Sequence, residues 1–361
     1  MKSGIVAYGA ALPYRRIAVK TILDVWGNSS LDILQKHLKL SERAVLFFDE
    51  DTNTLAVEAA RTALEQAGLA GGDLEAVYLG TGTNPWASNP SSSVVAEAVG
   101  AGPNIICADL QFSGKSGTAA MQALLGLTES GLAKRGLAIG SDTLNRHVSP
   151  GEIYEYTASA GAAAFVIGTD DVVARVLGMQ SFTSSLNEWF RVEGERFIKT
   201  STPNIPDALR LGLAEHVAPA VLGLNGKLGL KPSDYTYAVF QQPYGFVPYM
   251  MAGILELKPE QVAAGEISHE IGDCGAASAL LGLANVLDQA RPGDRVLLAS
   301  YGFGAGADAF ALEVTDQILQ RRGKGRPVKD LLARKELVDY AAATKFEHKF
   351  LKPIYPSGPW T

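Results

Sequence analysis

The feature that most limits the fold of this chain is an internal repeat. The segment Gly161 to Asp170, GAAAFVIGTD, is echoed by Gly306 to Asp316, GADAFALEVTD. Ahead of each lies the same order of signals, over Gly114 to Asp142 in one half and Gly275 to Gly302 in the other: a run of small residues with helical character, a basic turn, a short apolar strand. A third pair, Val77 to Thr81 and Tyr237 to Gln242, falls in the same order. Matched αβ units at corresponding offsets predict two similar halves, each a sheet with helices on its faces. The runs Thr118 to Leu127 and Ala276 to Ala284 are small and apolar, so two central helices can pack closely.

The halves are placed at residues 1–170 and 171–316, with an irregular insertion rich in Ser, Asn and Pro at 181–211 and a C-terminal helix and tail at 317–361. With 361 residues, 47% of them hydrophobic, there is material for a large core. A net charge of -6 gives no reason to expect nucleic acid or an anionic membrane as partner, and Arg321, Arg322, Lys324 and Arg326 read as a basic surface linker. The chain lacks an apolar run of about 18 residues, so no transmembrane helix is expected. The N-terminus runs straight into a strand without a signal-peptide pattern. Cys107 and Cys274 make no disulfide framework, which fits the cytoplasm. His37, His147, His216, His269 and His348 share no metal-site spacing, so neither metal nor cofactor is expected.

Ile5 to Ala11 reads as a buried strand, and Ile17 to Leu40 carries helical periodicity. Thr54 to Ala67 is a helix capped near Thr52 or Asn53 and stopped by Gly68. Gln317 to Leu337 reads as a helix with a basic loop. The tail Tyr340 to Leu351 is open between an edge strand, an arm on another subunit and a segment folded on its own domain.

The chemistry centres on Ala108 to Gln122, ADLQFSGKSGTAAMQ, a strand end, a tight turn allowed by Gly114 and Gly117, then a helix. Such a turn can hold a nucleophile at a helix N-terminus. The stretch resembles the nucleophile turn of the thiolase superfamily, in its 3-hydroxy-3-methylglutaryl-CoA synthase and ketosynthase III branch. That resemblance implies a five-layered α-β-α-β-α sandwich built from two similar halves. It also implies a Cys, a Glu, a His and a late-loop Asn as the acyl-transfer set, and this chain departs at each place. Gly114 stands for the Cys, Gly82 for the Glu, Gln241 for the His, and Asp273 for the Asn. A glycine cannot form an acyl-enzyme, and an amide cannot exchange a proton at neutral pH. No catalytic residue is therefore expected at the usual places. Ser113 is weighed as a turn-capping hydroxyl before a nucleophile, and Cys274 as a buried thiol before a reactive one. His269 lies closest in sequence to the late loop.

The motifs QFSGKSGT at Gln111 to Thr118, FQQ at Phe240 to Gln242, IGD at Ile271 to Asp273 and SYGFGAG at Ser300 to Gly306 are similar to the ketosynthase-III-like subunit of bacterial three-component phloroglucinol acetyltransferases. That similarity implies a subunit without its own nucleophile, serving C-acylation of a phenolic ring. Its partners would be a thiolase-like subunit carrying the active Cys and a small zinc-ribbon and OB-fold protein, with self or hetero-pairing through the central helices. Two alternatives stand beside it. One is cysteine-free carbon–carbon chemistry on an acyl-CoA, such as a retro-aldol cleavage, in a pocket lined by Tyr154, Glu155, Tyr156 and Asp273. The other is a stand-alone synthase-like acyltransferase using Cys274 or Ser113.

Overall fold

The computed structural model describes residues 2–201 and 205–350. Nine strands form one sheet: β1 (Gly4–Ala11), β2 (Ala76–Gly80), β3 (Ile106–Leu110), β4 (Arg135–Thr143), β5 (Ala160–Gly168), β6 (Ala174–Thr183), β7 (Tyr237–Phe240), β8 (Arg295–Tyr301) and β9 (Gly306–Val314). Their order is β7-β8-β9-β6-β1-β5-β4-β2-β3. The two halves of the sheet join only where Gly4 and Ile5 of β1 pair with Arg175 and Ala174 of β6. The repeat shows in the ladders. β2 runs parallel to β4, and β5 returns antiparallel to β4. In the second half β7 runs parallel to β8, and β9 returns antiparallel to β8.

The main helices are α1 (Val19–Trp26), α2 (Thr52–Ala67), α3 (Ser91–Ala98), α4 (Ser116–Glu129), α5 (Glu215–Leu228), α6 (Ser278–Leu287) and α7 (Tyr340–Phe346). Strand periodicity sorts them into layers. On β5, Ala162, Ala164 and Val166 face the outer helix α2, while Ala163, Phe165 and Ile167 face α4 and α6. On β8 and β9, Leu297, Ala299, Ala309 and Ala311 face α5, while Leu298, Phe310 and Leu312 face the centre. Two sheet halves thus enclose α4 and α6 and are covered outside by α2 and α5. Strands buried on both faces need the near-continuous apolar runs found here. Each fully buried Leu or Phe in these layers contributes about 1.5–3 kcal/mol of transfer free energy.

This layering corrects the expected pairing through the central helices. Every residue of α6 except Asn285 is buried, and α4 is covered along Ala120, Met121, Leu124 and Leu125. Those faces are spent inside the chain.

The periodicity over Ile17 to Leu40 resolves into several pieces. Arg15–Ala18 is a strand paired with Glu42–Val45, α1 follows, and a π-helical turn spans Ile33–His37. The break comes at Gly27, whose φ of +59° closes α1 by returning its N–H to Leu23 O at 2.8 Å. α2 is capped by Asp51, one residue before the expected cap, and stopped by Gly68. The expected helix over Gln317 to Leu337 is two short ones, Ile318–Arg321 and Val328–Ala333, separated by the Gly- and Pro-containing basic loop.

The tail is neither an edge strand nor an arm over the residues described. It forms α7, then buries two charged side chains. Glu347 pairs with Arg43, and Lys349 Nζ lies 3.1 Å from Glu347 and 3.2 Å from Glu155. Leu351 and the residues after it lie outside the described residues, as do 202–204 of the insertion. Among the described residues, no helix is long and apolar enough to cross a membrane.

Candidate active site

β3 ends in a 3-10 turn over Ser113–Lys115 that leads into α4. Ser116 closes this turn, its Oγ accepting from Phe112 N at 2.8 Å and donating to Ser113 O at 2.5 Å. The capping role foreseen for Ser113 therefore falls to Ser116. Ser113 itself is the left-handed residue, at φ +47°. Gly114 is needed for space rather than for backbone freedom. A Cβ there would lie 2.5 Å from the Tyr301 carbonyl oxygen, 2.9 Å from Gln241 Nε2 and 2.9 Å from the Phe303 ring. Below the turn, Lys115 Nζ is buried 2.9 Å from Asp308 Oδ1, and Thr118 Oγ1 donates to Asp308 Oδ2 at 2.8 Å. This pair ties the start of α4 to β9.

A cavity of about 290 Å³ opens in front of the turn. Gly82, Ser113, Gly114, Asp142 and Gly275 line it together with Trp189, Arg191, Ile198 and Phe303. Three of the positions picked out by sequence, Gly82, Ser113 and Gly114, thus meet at one wall. Gln241 and Asp273 lie just behind it. Gln241 Nε2 donates to Gly275 O at 2.9 Å, and Asp273 Oδ1 accepts from Gly275 N at 3.0 Å. Among the described residues, Gln241 Oε1 and Asp273 Oδ2 are buried without a hydrogen-bond partner.

Asp142 faces the cavity but is fully engaged. Its Oδ1 accepts from Thr81 Oγ1 at 2.8 Å, Gly82 N at 2.8 Å and Thr83 Oγ1 at 2.6 Å, and its Oδ2 from Ala276 N at 2.7 Å. Burial pushes its pKa up while these bonds pull it down, with burial the larger effect. Asp142 joins the Gly82 loop to the late loop and holds Gly275 tightly. Gly275 has φ +57°, and a Cβ on it would fall 2.3 Å from Asp142 Oδ2. Burial, with Asp142 nearby, pushes the Asp273 carboxyl up to about 7.

The other candidates lie elsewhere. Cys274 turns into the core, with Sγ 3.4 Å from Ala160 O, and burial drives its thiol pKa far up. It does not face the cavity. Glu155 is taken by Lys349, Tyr340 and the Gly151 N–H, and Tyr156 donates to Asn28 at 2.7 Å. The pocket imagined around these two does not form. His269 sits between Glu266 and Glu270, at 2.8 and 3.2 Å, and lines neither this cavity nor its neighbour.

Sequence reasoning named Tyr154 but missed its neighbours. Glu188, Tyr244 and Tyr301 join it around a second chamber of about 10 Å³, room for a single water. Tyr301 donates to Glu188 Oε2. The Tyr244 hydroxyl is buried with no hydrogen-bond partner. Phe303 lines both cavities. Glu188 lies in an insertion without periodicity, so no pattern marked it; Tyr301 and Phe303 sat in plain view on the late glycine-rich segment.

A family model described as the C-terminal part of 3-oxoacyl-[acyl-carrier-protein] synthase III matches residues 226–314. The hydroxymethylglutaryl-CoA synthase of Methanocaldococcus jannaschii is 43% identical over 352 residues, covering 96% of this chain and 99% of that protein. That of Methanococcoides burtonii is 41% identical over 356 residues, covering 97% and 99%. The chain belongs to the hydroxymethylglutaryl-CoA synthase family. Solved structures agree on the fold. MvaS in complex with 3-hydroxy-3-methylglutaryl coenzyme A superposes with a TM-score of 0.87 at 21% identity, over 98% of this chain and 94% of that one. The Pseudomonas aeruginosa 3-oxoacyl-(acyl carrier protein) synthase III gives 0.78 at 22% identity, over 87% and 98%.

Membership in this family overturns the reading as a non-catalytic subunit of a phloroglucinol acetyltransferase. The relatives that match 96–97% of the chain at 41–43% identity are named as synthases, not as such a subunit. The thiolase-like partner carrying the active Cys and the zinc-ribbon and OB-fold protein are withdrawn with it.

Proposed function

We propose that this chain is an enzyme acting by itself on a CoA thioester, making or breaking the hydroxymethylglutaryl-CoA skeleton without an acyl-cysteine. The skeleton comes from the relatives' name, and the route from chemistry. Hydroxymethylglutaryl-CoA cut between the thioester α-carbon and the carbinol carbon gives acetyl-CoA and acetoacetate. The two fragments sum to the whole, so this aldol step needs neither water nor a leaving group. A covalent acyl carrier is then unnecessary.

The observation that carries this reading is Gly114. The position has no side chain, and its surroundings leave no room for one. The rest of the wall suits a non-covalent thioester. α4 begins there, so its dipole favours negative charge growing on the thioester oxygen as the enolate forms. Arg191, an exposed residue of the cavity lining, offers a cation to the acceptor carboxylate. Trp189 and Phe303, stacked at 4.3 Å, shield one side from water.

The test is turnover by the purified chain alone. It is supplied with acetyl-CoA and acetoacetate, and separately with hydroxymethylglutaryl-CoA, and the thioesters are followed by liquid chromatography and mass spectrometry. The expected result is conversion in at least one direction. Conversion in neither direction at high enzyme concentration overturns the reading.

A further inference from the structure

We propose that Glu188 is the acid–base residue of this site, meeting the substrate when the Phe303 ring turns out of the wall between the two cavities. The assignment rests on the reading above. Any such step needs a group that can take and return a proton, and a buried carboxyl can serve. Three buried ones are near. Asp142 faces the cavity but accepts four hydrogen bonds, and Asp273 lines neither cavity. Glu188 lines the inner chamber, and among the described residues its carboxylate accepts one side-chain hydrogen bond, from Tyr301.

The groups around Glu188 come from every side. Tyr301 ends β8, with His216 of α5 behind it at 5.6 Å between ring centres. Tyr154 and Tyr244 complete the polar lining, and Asp273 lies beyond Tyr244. Among the described residues lining the chamber there is no Lys or Arg. Burial without a cation pushes the Glu188 carboxyl up to about 7, where it exchanges protons readily at neutral pH.

Phe303, stacked on Trp189, is the side chain that stands between the two cavities. It holds a left-handed φ of +46° between Gly302 and Gly304. Such a conformation in a large residue costs about 1–3 kcal/mol and persists only while packing enforces it. The backbone N–H groups of Glu188 and Trp189 both donate to Phe303 O, at 3.2 and 3.4 Å. Carboxyl and ring therefore belong to segments fastened to each other, and turning the ring need not displace the carboxyl.

The step balances on one residue. The Glu188 carboxylate takes a proton from the α-carbon of acetyl-CoA, breaking a C–H bond. The enolate carbon bonds to the ketone carbon of acetoacetate. The resulting alkoxide takes the proton back from Glu188, restoring the carboxylate.

The experiment is deuterium wash-in to the methyl group of acetyl-CoA in heavy water, with no acceptor present, for the wild type, Glu188→Gln and Phe303→Ala. Thioester affinity is measured alongside by calorimetry, and folding by circular dichroism. Glu188→Gln is expected to keep affinity and fold and to lose exchange by about 100-fold or more. Phe303→Ala is expected to exchange faster than wild type. Wild-type exchange that survives in Glu188→Gln overturns this assignment alone. Absence of exchange by the wild type, with acetyl-CoA bound, overturns the assignment, and the aldol reading falls with it only where conversion also fails in both directions. Should Glu188→Gln fail to fold, infrared difference spectra of the wild type across neutral pH decide. A buried carboxylic acid band that fades as pH rises through about 7 and persists in Asp273→Asn, which removes the other carboxyl raised to about 7, supports the assignment, and its absence from Asp273→Asn overturns it.

Discussion

Replacing Gly114 with Ala tests whether the tip of the turn is glycine by necessity. The added Cβ would meet the Tyr301 carbonyl oxygen at 2.5 Å, Gln241 Nε2 at 2.9 Å and the Phe303 ring at 2.9 Å. The last two are side-chain ends that can give way. The first is backbone at the end of β8 and cannot move without disturbing its neighbours. Overpacking of a tight site costs about 1–3 kcal/mol, and the backbone contact puts Gly114→Ala near the upper end. Gly82→Ala is the control at the same wall. Its Cβ would meet only ordinary contacts, 3.6 Å from Ser113 Cα and 3.9 Å from Asp142, so a change within about 0.5 kcal/mol is expected. The assay is thermal unfolding of the three proteins side by side, where about 3 kcal/mol in a chain this large lowers the melting temperature by roughly 5 °C or more. Gly114→Cys should be at least as destabilised and should not acquire an acyl group from acetyl-CoA. Equal stability of Gly114→Ala and Gly82→Ala would refute the argument from space.

Lys115→Met alone is expected to destabilise by about 3–5 kcal/mol because it leaves Asp308 charged and buried, and Lys115→Met with Asp308→Leu should recover much of that in chemical unfolding. Cys274→Ala should leave turnover unchanged, since the thiol points at Ala160 O in the core; a loss of rate with the fold intact would place the thiol in the chemistry. Asp273 binds its proton more tightly folded than unfolded, so its contribution to stability is whole below the unfolded pKa near 3.8 and is lost as pH rises through about 7. The melting temperature should accordingly fall from pH 5 to pH 8, and Asp273→Asn should flatten that fall.

The layered architecture was legible because repetition and two-sided burial leave strong marks. The paired segments ending at Asp170 and Asp316 run through equivalent strands, β5 and β9, each antiparallel to its neighbour. The run Ile17 to Leu40 misled because an apolar spacing of three to four persists across Gly27, where the backbone turns left-handed and ends the helix. At the site, Ser113 and Gly114 were legible because a strand–turn–helix junction is a local pattern, and Gly82 only through the resemblance to the synthase branch. The structural partners of Glu155 could not be named in advance for the opposite reason. Its partners, Tyr340 and Lys349, arrive from the far end of the chain. Glu188 escaped notice because its character comes from burial against Tyr301, 113 residues away, which no local window contains. Function went astray where missing side chains were read as missing catalysis. The relatives that match nearly the whole chain are named as synthases, not as an accessory subunit.

The most direct measurement is the mass of the intact protein, quenched in acid while it turns over acetyl-CoA and acetoacetate. A chain that forms the carbon–carbon bond with no covalent carrier yields hydroxymethylglutaryl-CoA in solution and keeps its unmodified mass at every time point. An acetylated protein that forms and decays at the rate of turnover, with the group mapped to Ser113 or Cys274, would contradict it.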